Sequence, residues 1–375
     1  MFQLSVTVTA IYLYRCAASS CDTTKCMAIK KRVTISQVAR EAGVSTQTVS
    51  RVINERPDVS RATRRRVKDV IERLGYRPSH AARTLSQGQS RSIGVVAYGI
   101  EYFGPSRALS GIEKQASQLG YTPVLYLLRE PEIENVSQIL AEVLSRSVDG
   151  IIWAVPEIGC NRSWLDKRVP GLPVPLVLLS MEPRPDTSVV SVDNYRGGKL
   201  ATQHLIAQGY EDIGLITGPL DWWEARERAR GWRDALIEAG SAIEKNQKVC
   251  GDWTAESGSL GLTSLLEQRP KIDAVFASND QMALGAIQAA RRRGLRLPED
   301  LALVGFDNAP EAAFLWPPLT TVGQPLYDVG CFSVKELQRL IDEGKEETAA
   351  IQPRTTVLQP TLIVRESSGV NLPVS

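Results

Sequence analysis

From residue 92 onward, short continuous apolar runs alternate with segments of helical periodicity, a pattern that points to a layered α/β body. The runs are residues 93–97, 122–128, 150–155, 176–179, 213–217, 274–277 and 301–306. Helical stretches such as 106–119 and 197–208 lie between most of them. Strands that are apolar throughout are covered on both faces, which means parallel sheet with helices on either side. Two such units in tandem predict a two-lobed body of doubly wound parallel sheets over 92–368. Lobe 1 is expected at 92–208 and 324–356, lobe 2 at 209–323 and 357–368, with 369–375 as a tail. Ligands in this architecture bind where the carboxyl ends of the strands face a crevice.

The residues just after those strands suit a hydroxyl-rich ligand. Tyr102 and Pro105 follow the first strand, and Gly218-Pro-Leu leads to Arg226 and Arg228. Ser278-Asn-Asp-Gln-Met-Ala-Leu-Gly285 puts Asn279 and Asp280 at a helix start, and Gly305-Phe-Asp-Asn308 follows a third strand. An arginine donates a fork of hydrogen bonds, an aspartate accepts, and an asparagine does both. Trp253, in Gly-Asp-Trp-Thr, offers a flat face to a ligand's C–H surface.

At 375 residues the chain is too long for a single typical core, and a separate small unit precedes the α/β body. Between Ala28 and Arg91 there are fifteen Lys and Arg against five Asp and Glu, a balance of +10. The whole chain carries +2 and residues 1–27 carry +1, so the remainder carries −9. Charge alone fits a polyanion partner and a solvated face equally. The pattern within the unit is more specific. Thr34-Ile-Ser-Gln37 has the spacing of a capping box. Ile35, Val38, Ala39 and Ala42 then make one apolar helix face, and Gly43-Val44 makes a tight turn. Ser45 caps a second helix from Thr46 to Asn54, with Val49 and Val52 turned inward. Ser60 caps a third, lined by Val67, Val70, Ile71 and Leu74, which ends at Gly75 before Pro78.

This is a helix-turn-helix unit over 33–78. Its second helix exposes Thr46, Gln47, Ser50, Arg51 and Asn54. Gln can pair with adenine and Arg with guanine in the major groove. Thr34, Ser45, Ser50 and Asn54 suit phosphate oxygens, which set position without carrying sequence. Residues 79–91 form a hinge in which Ala81, Ala82 and Leu85 would share one side of a short helix. Such a helix is too short to hold alone in water and is expected to order only against a partner. His80 has no acid–base companion. Residues 1–32 are an extension that differs in character from the rest of the chain. An apolar stretch from Leu4 to Tyr14 lacks the preceding positive charge of a secretory signal. Translation is expected to start at Met27, which an intact mass from the native organism would check.

The stretch Val33-Thr-Ile-Ser-Gln-Val-Ala-Arg-Glu-Ala-Gly-Val-Ser-Thr-Gln-Thr-Val-Ser-Arg-Val-Ile-Asn54 resembles the DNA-binding headpiece of the lac repressor family. Gly218-Pro-Leu with Arg228 and Gly231-Trp232, Gly251-Asp-Trp253, Asn279-Asp-Gln-Met-Ala-Leu-Gly, Gly305-Phe-Asp307 and Pro317-Pro-Leu-Thr-Thr321 resemble that family's effector domain, itself similar to periplasmic sugar-binding proteins. The likeness runs from Val33 to Arg365. It implies base reading by Thr46, Gln47 and Arg51, and a minor-groove wedge at Leu85. It implies ligand contact at Tyr102, Asp193, Arg228, Trp253, Asn279 and Asp307, although Arg228 and Asp307 could instead form a structural ion pair. It further implies a homodimer on a palindromic double-stranded operator, controlled by a saccharide or sugar-derived effector. Three departures set the pocket apart. Pro325-Leu326 stands where sugar-responsive members often carry an aromatic, and Ala154 where a polar residue is found. Trp222 and Trp223 add two rings, which fit a larger saccharide or, for one of them, packing.

Other classes fit less well. No apolar run approaches the length of a membrane-spanning helix. Cys160, Cys250 and Cys331 are far apart, as free thiols of a reducing cytosol would be, and Cys16, Cys21 and Cys26 lack partners for a zinc set. No phosphate loop, nucleophile elbow or metal set appears, and His80 and His204 are the only histidines. No catalytic residue, cofactor or metal is therefore expected, and the protein is expected in the cytoplasm, on the nucleoid. A solute-binding transport receptor would lack the basic unit. No leucine heptads follow Arg365, so a dimer is expected rather than a coiled-coil tetramer.

Overall fold

The structure is a computed structural model that describes residues 33–76, 89–130, 135–158, 164, 171–345 and 352–369. The expected extension 1–32, His80, Ala81, Ala82, the wedge Leu85, Cys160 and the tail from residue 370 lie outside the described residues. The chain divides into two compact units, Met1–Arg83 and Thr84–Ser375.

The first unit packs three helices, α1 (Ile35–Ala42), α2 (Thr46–Ile53) and α3 (Arg61–Leu74). The capping box is formed: Thr34 N donates to Gln37 Oε1 at 2.8 Å and Gln37 N to Thr34 Oγ1 at 3.4 Å. Gly43 ends α1 at φ 63°, a left-handed conformation that glycine adopts without steric cost. The turn lets Val49 and Val52 of α2 meet Val38, Ala39 and Ala42 of α1 and Val67 and Val70 of α3 in one buried cluster. Each fully buried valine contributes about 1.5–3 kcal/mol, which short helices need because propensity alone leaves them marginal.

The second unit has two lobes, each built on a six-stranded sheet. The lobe 1 sheet contains β1 (Ser92–Ala97), β2 (Thr122–Leu127), β3 (Gly150–Ala154), β4 (Leu176–Leu179), β5 (Ser188–Val192) and β11 (Thr355–Leu358), in the order β11-β5-β4-β3-β1-β2. All its pairings are parallel. Helices α4 (Phe103–Gln118), α5 (Val136–Ser145) and α10 (Leu326–Glu343) belong to this lobe. The lobe 2 sheet contains β6 (Ile213–Thr217), β7 (Lys248–Cys250), β8 (Ala274–Ala277), β9 (Ala302–Asp307), β10 (Thr320–Gly323) and β12 (Thr361–Ile363), in the order β12-β10-β9-β8-β6-β7. Only β12 runs antiparallel to its neighbour. Its helices are α6 (Asn194–Ala207), α7 (Trp223–Glu238), α8 (Ala255–Gln268) and α9 (Asp280–Arg292).

The expected lobe boundary at 208 is corrected. Helix α6 belongs to lobe 2, because Ala201 and Leu205 are buried with Leu215, Phe276 and Phe306 of that lobe's sheet. The first crossing lies at Asp193, directly after β5. That strand, Ser188-Val-Val-Ser-Val192, was not among the expected strands, yet all five of its residues are buried. The boundary at 356 moves as well, since Val357 and Leu358 pair with β5 in lobe 1.

Helices α6 and α7 approach closely at two glycines. A Cβ on Gly198 would stand 2.2 Å from the Arg228 carbonyl oxygen, and one on Gly231 would stand 2.1 Å from that of Tyr195. This contact presses the backbone of Arg228 onto α6 and sets where its side chain can reach.

Candidate nucleic-acid interface and ligand cleft

In the first unit, α2 presents Thr46, Gln47 and Arg51 to solvent, while Ser50 and Asn54 are half-buried one turn apart. Ser45 caps the helix by accepting Thr48 N at 3.1 Å, and its hydroxyl lies 3.0 Å from that of Thr48. Asn54 Nδ2 donates to Ser50 Oγ at 3.4 Å. Arg51 Nη1 stands 3.3 Å from Asp58 Oδ2, an exposed pair that holds the guanidinium with little energy. Short polar groups, an amide and a guanidinium on a rigid, capped helix are what direct readout of base edges requires.

In the second unit a cleft lies between the carboxyl ends of the two sheets. It encloses about 1100 Å³ of empty space, its open mouth included. Of the expected ligand contacts, Tyr102, Arg228, Trp253, Asn279 and Asp307 line it. Asp193 is a correction. Its Oδ1 accepts Arg196 N at 2.9 Å and caps α6, and Asp193 is not in the cleft lining, where its neighbour Asn194 stands instead.

Arg228 is 6% exposed. Its Nε donates to Asn194 Oδ1 at 2.8 Å and its Nη1 to the Ser278 carbonyl at 2.5 Å. The guanidinium lies 3.9 Å from the Phe306 ring centre and 5.4 Å from that of Trp253. It makes no direct ion pair with Asp307, which instead accepts Gln324 Nε2 at 2.6 Å. Asn279 lines the cleft with both ends of its amide in use: Oδ1 accepts Met282 N at 2.8 Å, and Nδ2 donates to the Trp253 carbonyl at 3.0 Å. Its contribution is to hold Trp253 and the start of α9 in place.

The aromatic side of the cleft is larger than expected from Trp253 alone. Trp222 meets Trp253 edge-on, with centroids 5.8 Å apart and planes at 67°, and lies 6.2 Å from Tyr98. Trp223 is buried and does not line the cleft. Ala154 and Leu326, two of the departures from the family pattern, do line it. Ser180, Trp253 and Asp307 border the cleft at φ values of 52°, 75° and 122°. Non-glycine residues adopt such angles at a cost, and their gathering at one cavity marks a functional site.

Acidic groups surround the arginine. Burial lifts the carboxyl of Asp307 to about 6 against the pull of Arg228 and Gln324. Burial, with repulsion from Asp307, lifts Asp280 to about 7, although it accepts Thr321 Oγ1 at 2.6 Å and Ala309 N at 2.7 Å. Glu224, in the first turn of α7, is half-buried, and desolvation raises its carboxyl to about 7, with Arg228 and Arg226 opposing. Its Oε2 has no hydrogen-bond partner. Sequence reading missed Glu224 and Asn194. Glu224 stands four residues before Arg228 and so shares its helix face, a spacing that could have drawn attention to it.

Comparison with known proteins agrees with this architecture. Residues 34–79 match the family described as bacterial regulatory proteins, lacI family. Residues 202–368 match a periplasmic binding protein-like domain. The chain is 34% identical over 325 residues to catabolite control protein A of Priestia megaterium, covering 85% of this chain and 96% of that one. The lac repressor dimer bound to operator and the anti-inducer ONPF superposes with a TM-score of 0.82 at 32% identity, over 90% of this chain and 99% of that one. The transcriptional regulator CelR in complex with cellobiose superposes with a TM-score of 0.66 at 34% identity, over 90% of this chain and all 100% of that one. With the cleft and the three-helix unit both matched, the chain belongs to the lacI family of bacterial regulatory proteins.

Proposed function

We propose that this protein is a sequence-specific DNA-binding transcription regulator, a repressor, that works as a homodimer and changes its grip on DNA when a saccharide occupies the cleft. The observation that carries this reading is one chain holding both an exposed Gln47–Arg51 helix face and a cleft that buries Arg228 beside aromatic rings. Thr46, Gln47 and Arg51 read bases, and Thr34, Ser45, Ser50 and Asn54 hold phosphates. Leu85 is the wedge that opens a base step. Two copies of the three-helix unit on two half-sites imply a palindromic operator. Tyr102, Arg228, Trp253 and Asp307 contact the effector, and Asn279 supports them. The transcriptional regulator CelR in complex with cellobiose supports a saccharide as the ligand class. The matched relatives are regulators, which favours regulation over catalysis and a place in the cytoplasm, on the nucleoid.

Dimer contact is assigned to the second unit, where exposed apolar side chains lie on both lobes; on lobe 1, Leu127 on β2 is 49% exposed and Phe332 on α10 is 40% exposed. Leu260 on α8 and Leu284 on α9 are 65% and 45% exposed, and Phe314 and Trp316 are 87% and 85% exposed. Apolar side chains this open are what a second copy would cover. Ligand alters DNA affinity only by its differential affinity for the two states of the dimer. Selection of duplexes from a random pool by the full chain tests the reading. An enriched two-fold motif, lost with Arg51→Ala, supports it, and no enrichment over random DNA refutes it.

A further inference from the structure

An arginine in a ligand cleft ordinarily suggests an anionic ligand. Here the rest of the cleft argues the other way. Among the described residues that line it, Arg228 is the only basic side chain, while Glu224 and Asp307 are acidic. Asp280 is buried just behind, hydrogen-bonded to Thr321 and Ala309. Two of Arg228's donors are spent inside the protein, on Asn194 and Ser278. Glu224 is half-buried and lines the cleft, and its Oε2 is sealed from solvent without a partner. A buried acceptor in that state is costly unless something donates to it.

We propose that Glu224 selects the ligand's charge: its free oxygen accepts a hydrogen bond from a hydroxyl or ammonium group of the ligand, so the cleft takes neutral or cationic saccharides and rejects their phosphorylated or acidic counterparts. This rests on the saccharide reading of the cleft given above. A hydroxyl serves both groups at once, since its oxygen accepts from Arg228 and its proton goes to Glu224. A phosphate or carboxylate satisfies the arginine alone. At that position it offers Glu224 no proton, and above about pH 7, where Glu224 and Asp307 are ionised, it brings a further negative charge beside them, which a poorly solvated site resists strongly. The raised carboxyl of Glu224 fits this arrangement, because the protein around it offers too few donors to hold its charge.

Titration calorimetry on the full chain at about pH 8, above the titration of Glu224, tests this with matched probes. The neutral set is cellobiose, D-glucose and D-ribose. The anionic set is cellobionate, D-glucose 6-phosphate and D-ribose 5-phosphate, and D-glucosamine is the cationic probe. Wild type is expected to bind a neutral or cationic probe at least ~10-fold more tightly than its anionic counterpart. Glu224→Gln keeps the shape and an acceptor but loses the charge. It is expected to weaken the neutral or cationic probe by about 10-fold and to narrow the gap to the anionic one. Unchanged binding of random duplex DNA and an unchanged far-ultraviolet spectrum would establish that the variant folds. An anionic probe that binds wild type as tightly as its neutral partner overturns the proposal. So does a Glu224→Gln variant with unaltered affinities; in both cases the saccharide reading stands. If none of the seven probes binds wild type, the saccharide reading itself falls and takes this proposal with it.

Discussion

Replacing Glu224 by Gln should change how stability depends on pH, by an amount the structure sets. The carboxyl has its Oε2 sealed from solvent and titrates at about 7 in the folded protein, against an ordinary value of 4.5. The folded state therefore holds this proton more tightly than the unfolded chain does. The stabilisation is full below pH 4.5 and is lost as the pH rises through 7. Integrated from about pH 5 to about pH 8, the loss is about 2 to 3 kcal/mol. Glutamine does not titrate, so the variant escapes that loss. Urea denaturation followed by tryptophan fluorescence reads the larger unit alone, because every tryptophan from Trp153 to Trp316 lies there. The stability of Glu224→Gln relative to wild type should rise by about 2 to 3 kcal/mol between about pH 5 and about pH 8. A difference that stays constant across that range would refute the burial argument for Glu224.

Arg51→Ala or Gln47→Ala should cost about 1–3 kcal/mol in binding a selected operator and little on random duplex, read by fluorescence anisotropy at fixed salt; equal losses on both would remove base reading from α2. Gly218→Ala would place a Cβ 2.2 Å from the Trp253 ring, so that ring must leave its position; saccharide binding should fall about 10-fold or more, by calorimetry, while random-duplex binding persists. Phe314→Ser with Trp316→Ser should shift the sedimentation of the protein from dimer towards monomer at micromolar concentration; an unchanged dimer would place the contact elsewhere.

Much of the three-helix unit is legible in the sequence because its determinants are local. Thr34, Ser45 and Ser60 cap helices through bonds that span three residues, and Gly43 turns the chain by its own φ. The apolar strands of both lobes are legible for the same reason, since each run declares its burial on both faces. Strand β5 hides because Ser188 and Ser191 interrupt its valines. The serines are buried, and Ser188 Oγ donates to Glu336 Oε1 at 2.6 Å, a partner 148 residues away. Missing that strand displaced the first lobe crossing and carried α6 into the wrong lobe.

The cleft divides in the same way. Asp307 ends β9 and Trp253 stands just past β7, where an α/β sheet exposes side chains to a crevice; Arg228 lies in the second turn of α7, and it is the family resemblance that marks it. Asn194 reaches the cleft because α6 and α7 approach at Gly198 and Gly231, a tertiary contact with no local signature. Asp193 has the right chemistry one position early, but a helix begins there and claims its carboxylate. Glu224 differs again. On sequence it is an ordinary acidic residue in the first turn of a helix, where the dipole favours it. Its sealed, unpartnered oxygen has no signature in the sequence.

The most direct test of the account is the operator affinity of the full chain with and without a saccharide that binds it. Anisotropy on a duplex selected from a random pool would supply the number, with Arg228→Ala as the control. The account predicts that saturating saccharide changes wild-type operator affinity by about 5- to 150-fold and leaves Arg228→Ala on the operator unmoved. A wild-type affinity that is the same for the selected duplex and for random DNA, with or without saccharide, would contradict it.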